Sequence, residues 1–163
     1  MMIAWIVLGY VTLSRLVELV IARRNTRDLL ARGAHEVAGE HYLLIVAVHA
    51  AWLVGLWLLA PGQPVWLGWL AVFAALQPLR FWVLGTLGRR WTTRIIVVPG
   101  ETLVRRGPYR FLAHPNYAVV VGELASLPLA FGMWRYALAF SLANALVLTI
   151  RIRAEEAALR GTA

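Results

Sequence analysis

Five long apolar runs decide what this chain can fold into: 2–22, 42–60, 65–88, 117–134 and 136–152. A helix needs about 20 predominantly apolar residues to cross the ~30 Å hydrocarbon core of a bilayer. Each run reaches or nearly reaches that length. The surrounding composition gives a water-soluble core no way to hide them. The chain is 61% hydrophobic and 15% charged, with a mean hydropathy of +0.69. Soluble domains sit near about 45–50% apolar and about 25% charged. The excess apolar surface must face lipid. The expectation is an all-α fold: one domain, 1–163, built as a polytopic transmembrane helical bundle of about five spans. The first run lacks the basic start and small-residue cleavage site of a secretory signal, so it reads as a retained span.

The connections set the orientation. Pro61, Gly62, Gln63 and Pro64 make a tight turn between the second and third runs, and 132–136 joins the last two as a helical hairpin. All sixteen basic residues are arginine. Arg23, Arg24, Arg27 and Arg32 follow the first run. Arg89, Arg90, Arg94, Arg105, Arg106 and Arg110 follow the third. Arg151, Arg153 and Arg160 follow the fifth. The two remaining connections hold only Arg135. Basic loops alternate with neutral ones, as five crossings require under the positive-inside rule. This reading puts the N-terminus outside and the C-terminus in the cytoplasm. Several of the 8 tryptophans, such as Trp5, Trp66, Trp91 and Trp134, fall near span ends, as in an interfacial aromatic belt.

The net charge of +8 does not point to nucleic acid, because most arginines lie in short loops between apolar runs. The absence of lysine removes Schiff-base chemistry, and the absence of cysteine removes disulfides, thiolates and cysteine metal sites. Glu36, Glu40, His41 and His49 follow no metal-binding spacing, so no metal is expected.

The longest connection, 89–115, is unlike a simple linker. Ile95, Ile96, Val97 and Val98, then Pro99-Gly100, then Leu103-Val104 read as two short extended pieces around a turn. Gly107-Pro108-Tyr109 marks another turn. A long, partly ordered loop among short ones is where function concentrates. It leads through His114-Pro115-Asn116-Tyr117 into the fourth run, with Pro115 suited to the first turn of a helix. Free N–H groups at such an end suit a carboxylate or phosphate. His114 and Tyr117 would flank it with a titratable ring and an aromatic face. A capped helix with interfacial aromatics is the structural alternative.

Arg151, Arg153, Glu155 and Glu156 close the fifth run. Arg151 and Glu155, four apart, are spaced to pair, either as a solvated helix end with snorkelling arginines or as a site for cationic or hydroxyl groups. Charged residues within spans are costly and tend to be functional. Glu123 is the clearest case. It is a plausible proton acceptor, or else a structural partner for Arg15 or Arg80. Arg15 and Glu18, three apart, are spaced to neutralise each other. Pro78 and Pro128 mark expected kinks.

Leu103-Val104, Gly107-Pro108-Tyr109-Arg110, His114-Pro115-Asn116-Tyr117 and Glu155-Glu156, in this order in a membrane protein, resemble the isoprenylcysteine carboxyl methyltransferase family over about 89–163. The resemblance implies a membrane methyltransferase that uses S-adenosylmethionine, held on the cytoplasmic side between the long loop and the last helices. By position it makes Val104, Gly107, Tyr109, His114, Pro115, Tyr117, Glu155 and Glu156 the cofactor-binding set, with Glu123 and His114 as the catalytic candidates. The methyl acceptor would be a lipophilic molecule from the bilayer. Two departures bear against prenylated proteins as acceptors. Ala113 stands where the family carries an arginine before His-Pro, and the chain closes soon after Glu156 without the aromatic tail of many members. In the N-terminal half, Arg15, Glu18, Arg23-Arg24-Asn25, Gly33, Glu36 and His41-Tyr42 resemble a bacterial branch, some of whose members are linked with alkylresorcinol or alkylpyrone methylation. A phospholipid N-methyltransferase and a non-enzymatic structural or lipid-binding membrane protein are the rival readings. A nicotinamide-dependent sterol reductase of related fold is disfavoured by the short chain.

Overall fold

The computed structural model describes residues 2–37, 39, 42–100 and 104–160. Leu103 of the Leu-Val pair, together with Glu40 and His41, lies outside the described residues. Five helices carry the fold: α1 Met2–Leu30, α2 Tyr42–Leu59, α3 Leu67–Leu87, α4 Pro115–Ala130 and α5 Trp134–Arg160. By length and composition, α1, α2, α3 and α5 qualify as membrane spans. The outer surface of the helix bodies is largely apolar, with Leu13, Val20, Leu43, Leu58, Leu67 and Leu146 exposed, while exposed arginines such as Arg24 and Arg89 lie toward the helix ends. No hydration could compensate for such a surface, so it faces lipid, and the protein is an integral membrane helical bundle.

The fourth span is shorter than the sequence implies. Helix α4 has 16 residues and stops at Ala130. Its last turn holds Pro128, and Gly132 follows with a φ of 69° that non-glycine residues avoid. The N–H groups of Phe131 and Met133 both fold back onto the Pro128 carbonyl at 3.0 Å. α4 is the best-buried helix, packed between α3 and α5, with Val119, Leu124 and Leu127 sealed from solvent. α3 continues as a helix through Pro78. The apolar core gathers at the arginine-poor end. There Leu8 and Val11 of α1, Trp52 and Leu56 of α2, Phe73 of α3 and Leu127 and Phe131 meet. Trp66 N–H donates to the Ala130 carbonyl at 2.8 Å, which levels the start of α3 with the end of α4.

The arginine-rich end is tied together by the first and third connections. Strand β1, His35–Val37, pairs antiparallel with β2, Ile95–Val97, in the register Glu36 opposite Ile96. The extended piece before Pro99 expected from the sequence is present, and its partner strand lies in the first connection. The turn at Pro99-Gly100 is present, with Gly100 at φ 76°. The β-branched run before it finds its partner across the bundle. Arg94 reinforces the junction, donating to both Glu36 oxygens at 2.8 Å and lying 4.6 Å over the Tyr42 ring. Asn25 of α1 donates to the carbonyls of Gly88 and Trp91 at 3.1 and 2.8 Å, fixing the end of α3.

Candidate functional site

Two polar constellations lie in the bundle. The first is buried at mid-bundle. Glu123 on α4 accepts from Arg15 at 2.7 Å, from Arg80 at 2.9 Å and from Gln77 at 3.0 Å. Glu18 accepts from Arg15 at 3.0 Å, from Arg80 Nε at 2.6 Å and from Arg80 Nη2. Tyr10 donates to Gln77 at 3.1 Å. Two guanidinium groups thus meet two carboxylates, and the cluster is neutral. Glu123 is 1% exposed. Both its oxygens are engaged, in the geometry of a partner to Arg15 and Arg80 together.

The second constellation sits where the N-terminus of α4 meets the C-terminal part of α5. His114 caps α4 with a non-helical backbone, and Pro115 takes the first helical position, buried, where its missing N–H costs nothing. The His114 and Tyr117 rings stack at 5.1 Å and 13°. Tyr117 donates its hydroxyl hydrogen to Glu155 at 2.7 Å and accepts from Arg151 Nε at 2.9 Å. His114 Nδ1 lies 3.8 Å from the same Glu155 oxygen. The spacing of Arg151 and Glu155 predicts a direct pair, whereas the structure interposes the Tyr117 hydroxyl between them. The side chains of His114 and Glu155 are 28% and 30% exposed, so the cluster is open on one side.

The loop before α4 closes on this cluster through Gly107. Its φ is 56°, and a Cβ there would stand 2.5 Å from Thr86 Oγ1. Only glycine lets the loop lie so close to α3. Pro108 is buried behind it, and Tyr109 follows, half-buried. Burial, and secondarily the Glu155 carboxylate, push the Tyr109 hydroxyl up to about 12. Val104 is half-buried at the start of this loop. Glu156 is exposed on α5, and adjacent helical residues do not share a face, so Glu155 is the acid turned toward His114 and Tyr117.

Two members of the cluster escape sequence reasoning. Arg151 serves Tyr117 across 34 positions, and no local pattern announces that contact. Asn116 Oδ1 is buried without a hydrogen-bond partner among the described residues, next to the stacked rings. Such an atom is costly unless something donates to it. Its place between Pro115 and Tyr117 was the available signal. Chemically, the cluster offers a carboxylate, a guanidinium, an orphaned carbonyl acceptor and a two-ring aromatic surface. That set suits a ligand with ammonium, carboxylate and heteroaromatic parts.

Known proteins give the geometry its context. The chain is 39% identical over 161 residues to the Bacillus subtilis (strain 168) protein named "Uncharacterized protein YpbQ", covering 96% of each. It is 27% identical over 152 residues to an uncharacterized protein of Haemophilus influenzae, covering 89% of this chain and 88% of that one. No solved structure matches it. The model of one family matches residues 69–161, which run from α3 to the end of α5 and include every member of the interfacial cluster. This chain belongs to the isoprenylcysteine carboxyl methyltransferase (ICMT) family.

Proposed function

We propose that the protein is an S-adenosylmethionine-dependent methyltransferase acting on a lipophilic acceptor that reaches the site from the bilayer. The observation that carries this reading is the interfacial cluster of His114, Asn116, Tyr117, Arg151 and Glu155, set in the segment where the family match lies. The donor set fits the cofactor. Glu155 and the orphaned Asn116 Oδ1 accept from an ammonium group, Arg151 can meet a carboxylate, and the stacked His114 and Tyr117 rings offer a face to an adenine. Val104, Gly107, Tyr109 and Pro115 shape the wall, and Glu156 lies beside it on α5. When bound, the cofactor supplies an electrophilic methyl group on a sulfonium.

The residues of the chain then have three tasks. They fix the acceptor oxygen in line with the breaking S–C bond, so that a C–O bond forms as the thioether leaves. Such alignment is worth several kcal/mol, up to about 7–11 in well-oriented cases. They keep water out, for which the buried Pro108 and Pro115 serve. They also handle a proton where one must move. A carboxylate acceptor arrives ionised, whereas a phenol or enol, as in an alkylresorcinol or alkylpyrone, gains from a base. His114, partly exposed at the open side, is the group suited to take that proton. Glu123 has one oxygen committed to Arg15 and Arg80 and the other to Gln77. The distribution of arginines supports a cytoplasmic site with the N-terminus outside.

Calorimetric titration with S-adenosylhomocysteine in detergent tests the reading. Wild type should bind, and Glu155→Gln and His114→Ala should each weaken binding about tenfold or more, as loss of a charged hydrogen bond of about 1.5–3 kcal/mol requires. Folded wild type that does not bind, or variants with unchanged affinity, would overturn it.

A further inference from the structure

α1 and α3 do not pack closely along their lengths. They are joined by long side chains, Arg80 to Glu18 and Tyr10 to Gln77. Toward the arginine-rich end this leaves an open groove of about 810 Å³. Leu13, Val17, Ile21, Phe81 and Leu84 line its walls, and Gly85 and Ser14 keep it wide. At its mouth stand Arg24, Asp28 and Arg89. Arg24 and Arg89 are exposed, and among the described residues neither forms a salt bridge. Trp91 lines the same groove, 6% exposed, with an indole N–H that has no acceptor among the described residues.

The dimensions match one lipid chain. Arg24 to Tyr10 is fourteen residues of helix, about 21 Å at ~1.5 Å per residue. One leaflet of a ~30 Å core is about 15 Å deep. A headgroup held at Arg24 therefore leaves room for a complete acyl chain along the apolar walls. Two arginines against one aspartate make the mouth cationic, and arginine is the side chain best matched to a phosphate.

We propose that this groove is a binding site for one anionic glycerophospholipid, its phosphate between Arg24 and Arg89 and one acyl chain between α1 and α3. The site is separate from the His114–Glu155 cluster and does not depend on the reading of that cluster. Occupancy fills the gap between the two helices that supply three of the four buried charges, and so braces the ion cluster from the lipid side.

Native mass spectrometry of the full chain, purified in detergent and titrated with dioleoylphosphatidylglycerol or dioleoylphosphatidylcholine, tests this. One phosphatidylglycerol should bind, at least tenfold more tightly than phosphatidylcholine. Arg24→Gln with Arg89→Gln should remove the preference. Gly85→Leu should block binding by filling the groove. An added Cβ at Gly85 meets nothing within 4 Å, so a side chain can begin there without a clash. S-adenosylhomocysteine affinity should stay unchanged in both variants. Equal affinity for the two lipids, or full phosphatidylglycerol binding by Gly85→Leu, would overturn the proposal. Displacement of the lipid by a long-chain phenol would also overturn it, by giving the groove to the methyl acceptor.

Discussion

The buried cluster around Glu123 and the interfacial cluster around Glu155 use the same residue types to opposite ends. In the first, Arg15, Arg80, Glu18, Gln77 and Glu123 satisfy one another away from water. In the second, Arg151 and Glu155 share a single tyrosine hydroxyl, and Asn116 is left without a partner. A closed set of charges holds helices together and leaves little capacity for a ligand. An open set with an orphaned acceptor holds less and offers more. Carboxylates within one short helical bundle can therefore differ in role because of how completely their neighbours consume them.

The comparison breaks most visibly at Glu123. Glu123→Leu leaves the two guanidinium groups of Arg15 and Arg80 to share the single carboxylate of Glu18, one buried charge short of balance. Removing one partner from a buried pair costs about 3–5 kcal/mol, so the variant should unfold at markedly lower denaturant or temperature. Glu123→Gln should retain S-adenosylhomocysteine affinity. If it is stable yet fails to methylate a long-chain phenol at neutral pH, with recovery at high pH, Glu123 is a base and the contrast collapses.

Arg151→Gln should do the reverse. Its loss should leave unfolding within about 1 kcal/mol of wild type, as expected of a partly exposed interaction. S-adenosylhomocysteine binding should fall about tenfold. A stability loss as large as that of Glu123→Leu would make the interfacial cluster a structural one.

The smallest effect concerns Tyr109 and appears only in alkali. Its hydroxyl is raised from 10.0 to about 12 in the folded protein. The unfolded chain therefore releases this proton first, so the contribution is fully present below pH 10 and is lost as pH rises toward 12. Wild type should lose stability across that window, and Tyr109→Phe should lose less. Parallel curves in an alkaline denaturation series would detach Tyr109 from the buried wall of the site.

The sequence carried the bundle well, because a hydrophobic run of membrane length reports its own environment. It carried the short end of α4 poorly. The run continues through Phe131, Met133 and Trp134, and although the sequence marks a turn from Gly132, the helix already ends at Ala130, where Pro128 and the positive φ at Gly132 close it. The β1–β2 pair was invisible for a different reason. A three-residue strand has no preferred partner until the helices bring His35 beside Val97. At the site, motif residues such as His114, Pro115 and Tyr117 stood out by type and spacing. Arg151 gains its meaning from a contact across 34 positions that no local pattern announces, and Asn116, though flanked by motif residues, gains its meaning from a missing contact.

The brevity of α4 has a consequence for how reactants would meet. Its 16 residues extend about 24 Å at ~1.5 Å each, short of a ~30 Å core. Its far end is level with the start of α3, fixed by the bond between Trp66 and Ala130. The shortfall of about 6 Å therefore lies on the His114 side, which sets the cluster back from the end of a full-length span. Lifting a fifteen-carbon chain out of the bilayer would cost about 12 kcal/mol, at about 0.8 per methylene. A recessed site removes that step, because the polar reactant descends while the greasy one stays in place. The quantity that governs turnover would then be the acceptor's mole fraction in the membrane plane. Diluting it with inert lipid at constant bulk concentration should slow the reaction in proportion.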